Sequence, residues 1–139
     1  MKIVAEHSPQ IVEQISSLLH DYNQQSNLSI PAYHKSKLIL AAYEQDEFIG
    51  GITGQSVWGV LHIQLLGVVP SHRSRGIGAS LLAAMEDQGR ESGCKVSELT
   101  TMSWQAPSFY QKHGYHIVGE IKDVPAEGMS KLYLMKSLV

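Results

Sequence analysis

The chain lacks what several common kinds of protein require. A single cysteine among 139 residues leaves no internal disulfide framework. No apolar run approaches the roughly 20 residues that a membrane-spanning helix needs, and the opening Met1-Lys-Ile-Val-Ala-Glu-His7 holds too short an apolar stretch for a secretory signal. Charge of one sign is also missing. Eleven Lys and Arg stand against 13 Asp and Glu, a formal net charge of −2, which supplies no field to draw the chain to nucleic acid or to an anionic membrane. Seven histidines occur without paired ligand spacing, so no metal is expected. Repeats, low-complexity tracts and linkers are absent. What remains is one domain over residues 1–139, expected in a reducing, cytoplasmic setting, with 43% hydrophobic content to fill its core.

Periodicity places the elements. Lys2 to Ala5 reads as a short strand, and Ser8-Pro9 opens a helix whose apolar face is Ile11, Ile15, Leu18 and Leu19. Asp21 to Ser29 is polar and turn-rich. Lys37 to Tyr43 and Phe48 to Val57 read as strands joined by a hairpin turn, Glu44-Gln-Asp-Glu47, whose two glutamates are expected in solvent. Gly50, Gly51 and Gly54 weaken the second strand and mark a bulge. Val60 to Val69 is a largely buried strand ending at Pro70. From Ala79 to Arg90, Leu81, Leu82, Met85 and, at the edge, Ala84 recur at helical spacing, with Glu86, Asp87 and Arg90 left for solvent. Lys95 to Thr101, Tyr115 to Ile121 and Lys131 to Met135 complete the strands, and Ala106 to His113 is a short helix. The pattern predicts an α/β fold with a mixed, twisted sheet flanked by helices.

The most informative segment runs from Val69 to Ala79, Val-Pro-Ser-His-Arg-Ser-Arg-Gly-Ile-Gly-Ala. Strand, tight turn and helix follow one another here. Gly76 and Gly78 lack Cβ atoms, so phosphate oxygens can approach the backbone, and the first amides of the helix are unpaired at its positive end. Arg73 and Arg75 add charge beside this nest. The arrangement suits the pyrophosphate of a nucleotide-tailed ligand. It is not a phosphate loop of the Gly-Lys-Ser or Gly-Lys-Thr type, which disfavours a nucleotide phosphotransferase, and the third glycine of the dinucleotide fingerprint is replaced by Leu81.

Arg73-Ser-Arg-Gly76-Ile-Gly78 resembles the acyl-coenzyme A loop of the GNAT N-acetyltransferase superfamily: Arg or Gln, two residues, Gly, one residue, Gly or Ala. About thirty residues on, Gln105-Ala-Pro-Ser-Phe-Tyr-Gln-Lys-His-Gly-Tyr115 is similar to that family's second signature. Together with the surrounding strands the likeness spans Val60 to Val139. It implies the GNAT (acyl-CoA N-acyltransferase) fold and transfer of acetyl from acetyl-CoA to a primary amine of a small molecule or peptide. By the same likeness Leu66, Gly67 and Val68 belong to a strand that splays from its neighbour, and Arg73, Ser74, Arg75, Gly76, Ile77, Gly78 and Ala79 hold the pyrophosphate.

Direct transfer from a thioester requires a neutral amine, a polarised carbonyl and a proton for the departing thiolate. The resemblance places Tyr110 at the sulfur, where a phenol of pKa about 10 suits a thiolate leaving group; the competing role is a core ring with its hydroxyl on a backbone carbonyl. Phe109 is expected to pack. Carbonyl polarisation falls to main-chain amides. Where family members carry a carboxylate on the central strand, this chain has His62 and Gln64. His62 is the candidate base, since imidazole titrates near neutral pH, while Gln64 can orient but not accept a proton. That departure keeps a second reading open, a non-catalytic acyl-CoA binding or sensing module. Cys94 is expected to be buried and inert, which argues against an acyl-cysteine intermediate. Trp58, Tyr22, Tyr33 and Trp104 are candidates to line the acceptor pocket, and exposed strand edges are compatible with a homodimer.

Overall fold

The computed structural model describes residues 1–139, and the chain divides into two compact units, Met1–Ala32 and Tyr33–Val139. The first unit is built on helix α1 (Pro9–Gln24). Pro9 sits in its first turn, where its missing N–H costs nothing, and the Ile11 amide bonds the Ser8 carbonyl. The Ser8 hydroxyl bonds Gln10 Oε1 at 2.6 Å, so it does not cap a backbone amide. Residues 2–5 form no strand, contrary to expectation. Four residues, with β-branched side chains at Ile3 and Val4, do not make a strand without a ladder to join.

The second unit is one six-stranded mixed sheet. Its strands are β1 (Lys35–Glu44), β2 (Glu47–Val57), β3 (Val60–Val68), β4 (Val96–Met102), β5 (His116–Lys122) and β6 (Ser130–Ser137), in the order β1-β2-β3-β4-β6-β5. Helix α2 (Ile77–Glu91) joins β3 to β4, and α3 (Pro107–Lys112) follows β4. Only the β3–β4 pair is parallel, which is what a connection through a helix permits. The hairpin between β1 and β2 turns at Gln45 and Asp46, both at positive φ, as a two-residue primed turn requires.

One face of the sheet packs on α2. Ile52, Leu61, Ile63, Leu99, Leu132 and Leu134 meet Leu81, Leu82 and Met85 there. The helix approaches β3 so closely that a Cβ on Gly89 would stand 2.9 Å from Leu61 Cδ2. The apolar positions expected for α2 are buried apart from Ala84, which is exposed. Glu86 corrects the expectation: it is 5% exposed, because Lys136 Nζ (2.8 Å) and the Tyr115 hydroxyl (2.8 Å) bond its carboxylate, and Tyr115 Oη also lies 2.7 Å from Ser97 Oγ. Arg90 is likewise engaged, donating from Nε to the Leu138 carbonyl.

Two irregularities shape β3. Thr53 pairs with Leu65 but Gly54 pairs with Ile63, so Gln64 is an extra residue and β3 bulges opposite the glycine-containing part of β2. On its other edge β3 pairs with β4 over only three positions, Val60↔Val96, Leu61↔Ser97 and His62↔Glu98. From Ile63 to Val68 that edge has no strand beside it.

Candidate active site

The strand edge opened by this splay leads directly into the loop singled out in the sequence. After Val68 the chain makes a single 3-10 turn (Pro70–His72), and Ser74 and Gly76 adopt left-handed backbone, φ 64° and 81°, before α2 begins at Ile77. At Gly76 no atom lies within 4 Å of where a Cβ would be, so glycine is there for its backbone conformation. The amides at the start of α2 have no acceptor within the helix and stand at its positive end. Leu66, Gly67 and Val68 thus line the open edge, Arg73 to Gly76 form the turn at its end, and Ile77 to Ala79 begin α2.

The loop arginines are engaged by the protein. Arg73 Nε donates to the Val68 carbonyl at 3.1 Å, closing the loop on itself. Arg75 makes two bonds to Glu44 (Nη2–Oε1 2.9 Å and Nη1–Oε2 3.2 Å), and His72 Nε2 lies 2.9 Å from the same carboxylate. Glu44, expected to be idle in solvent, therefore ties the end of β1 to the loop. Arg75 first, and His72 with it, hold the Glu44 carboxyl down to about 2, and Glu44 raises the Arg75 guanidinium in turn.

The second signature meets the first through Phe109, whose ring lies 3.5 Å from the position a Cβ would take on Gly78. Phe109 also stacks edge-on with Tyr110, and Tyr110 with Tyr115, at centroid distances of 5.1 and 5.9 Å. The two tyrosines differ in what their hydroxyls do. Tyr115 is buried and bonded to Glu86 and Ser97, whereas the Tyr110 hydroxyl has no partner within the protein. Burial pushes both phenols up.

His62 stands at the last paired position before the splay, and its Nδ1 lies 2.6 Å from Glu98 Oε1. On the same face of the sheet an apolar cleft of about 460 Å³ runs from Ile39, Ala41 and Phe48 to Gly67 and Val69. Thr53 in its wall has a buried Oγ1 with no protein partner. Neither Glu98 nor Thr53 carries a local sequence signal; only the strand register brings them here. Tyr33 and Trp58 pack edge to face at 5.5 Å, and Trp58 occupies the tight β2–β3 turn at φ 49°. Cys94 is buried and 3.2 Å from Ser56 Oγ.

The model of the acetyltransferase (GNAT) family matches residues 5–115. A blasticidin-S acetyltransferase from Streptomyces morookaense is 39% identical over 99 residues, 70% of this chain and 72% of that protein. The crystal structure of an acetyltransferase from Bacillus cereus ATCC 14579 superposes with a TM-score of 0.83 at 31% identity, covering 98% of this chain and 97% of the other. An aminoglycoside 6'-N-acetyltransferase solved with coenzyme A shares the fold, with a TM-score of 0.70 at 20% identity over 99% of this chain and 98% of that one.

Proposed function

Because the chain belongs to the acetyltransferase (GNAT) family, we propose that it carries acetyl from acetyl-CoA directly to a primary amine within a ternary complex, and that residues 1–139 act together as one catalytic domain. The observation that carries this reading is the end of β3–β4 pairing at His62. It leaves the backbone groups of Ile63 to Gly67 along one edge free to pair with an extended pantetheine arm, as a missing strand would, while the Val68 carbonyl is held by Arg73.

The pyrophosphate then reaches Ser74 to Ala79, where left-handed backbone and the α2 amides offer N–H donors. With Arg75 already paired to Glu44, main-chain donors carry most of the phosphate recognition. The thioester oxygen lies against the β3 amides, and a preorganised amide aimed at developing oxyanion charge is worth about 3 kcal/mol. Tyr110 protonates the departing thiolate. Its burial keeps the phenol protonated until sulfur develops charge, and its hydroxyl has no competing partner. His62 takes the proton lost by the amine. In this reading the protein works in the cytoplasm, as a homodimer.

Calorimetric titration with acetyl-CoA, followed by thiol release across blasticidin S, aminoglycosides, polyamines, amino acids and lysine peptides, tests the proposal. Amine-dependent release is the expected result; binding without release from any amine supports the sensing module instead, and absence of binding overturns both. Tyr110→Phe is expected to lower kcat by about 100-fold while the acetyl-CoA Kd stays within about twofold of the wild type.

A further inference from the structure

The imidazole that replaces a carboxylate on the central strand has brought a carboxylate of its own, from a different strand. His62 and Glu98 are partners in the parallel β3–β4 register, at the last position before the strands part. Their side chains leave the same face of the sheet and meet at 2.6 Å. Both are partly open, with side-chain exposures of 33% and 48%, so an ion pair here adds little to stability. Its value lies in what it does to the ring. A neutral imidazole has one N–H and one lone pair, and a carboxylate accepts only; bonding Nδ1 to Glu98 therefore puts the hydrogen on Nδ1 and the lone pair on Nε2.

We propose that Glu98 is the positioning residue of the acetyl transfer, holding His62 in the Nδ1–H tautomer so that Nε2 is the base for the acceptor amine. The inference rests on the assignment of His62 as that base. The proton balance is simple. Nε2 takes one proton from the acceptor's ammonium group, the freed nitrogen lone pair attacks the thioester carbon, the C–S bond breaks as Tyr110 gives its proton to the sulfur, and the second proton shed by the new amide nitrogen restores the Tyr110 phenol. The imidazolium so formed keeps its Nδ1–H on the Glu98 carboxylate and then releases its Nε2 proton to solvent. Register explains why the sequence conceals the pair: 36 residues separate its members, and neither lies in a family signature.

Two readouts test this together: steady-state kinetics, and the ring nitrogen shifts of His62 by ¹⁵N NMR, which distinguish the two tautomers. In the wild type the shifts should show protonated Nδ1 and unprotonated Nε2. Glu98→Ala should scramble the tautomer and lower kcat by about 30-fold with acetyl-CoA Kd unchanged, and Glu98→Asp should restore part of both. A Glu98→Ala enzyme with wild-type kcat, or with an unchanged tautomer, overturns the proposal. His62→Gln separates this from failure of the base assignment: if it retains wild-type turnover, the base itself is misassigned.

Discussion

At the scale of single residues, the structure turns several isolated side chains into pairs. Glu44 is the clearest. Its carboxyl is held at about 2 against an ordinary 4.5 by Arg75 and His72. A depressed folded-state value means the stabilisation is fully present above the unfolded value and is lost as pH falls from about 4.5 toward 2. The expected outcome is that wild type exceeds Glu44→Gln in urea midpoint at pH 7, and that the difference shrinks across this acid window. Thr53 invites the opposite kind of change. Its buried hydroxyl finds no protein partner, so the near-isosteric Thr53→Val removes an unmet hydrogen-bonding demand. Thermal unfolding of the ligand-free protein should show it more stable by about 1 kcal/mol. If the hydroxyl serves the acceptor amine instead, the same variant raises the amine KM.

At the scale of elements, what was legible followed local periodicity and what was hidden followed pairing between distant segments. The helix beginning near Gly78, the hairpin around Glu44 to Glu47 and a bulge in the glycine-containing strand, at Ile49 beside Gly50, are written in neighbouring residues, and each is present; the bulge opposite Gly54 lies instead on β3, at Gln64. Lys2 to Ala5 forms no strand because β propensity at Ile3 and Val4 supplies no partner strand. Glu86 was assigned to solvent because its spacing on α2 says nothing of Lys136 and Tyr115, which come 50 and 29 residues later. The family signatures identified the loop, yet Glu98 and Thr53 bear no signature and join the site through register alone. Two glycines serve different ends, one close packing and the other backbone conformation. Gly89→Ala drives a methyl to within 2.9 Å of Leu61 Cδ2, between α2 and β3, and should cost about 1 to 3 kcal/mol in chemical denaturation. Gly76→Ala meets no neighbour but is strained at φ 81°, and should cost about 1 kcal/mol while weakening acetyl-CoA binding.

At the scale of the whole second unit, the sheet consists of two antiparallel triplets, β1-β2-β3 and β4-β6-β5, joined edge to edge by three register pairs. The cluster of buried Glu86, Tyr115 and Ser97 with half-buried Lys136 runs from α2, which packs on the first triplet, to strands of the second. Lys136→Met removes the only cation bonded to a carboxylate that remains buried. It should destabilise the protein by about 3 kcal/mol, read as a lower urea midpoint at neutral pH. The short seam between the triplets has a mechanical meaning as well. A sheet stitched over so few residues can flex about its seam, and a ligand lying in the gap adds stitches along β3. With acetyl-CoA in that gap, as proposed, amide exchange along Ile63 to Val68 should slow on binding and quicken again as coenzyme A leaves, each turnover tightening and loosening the sheet once.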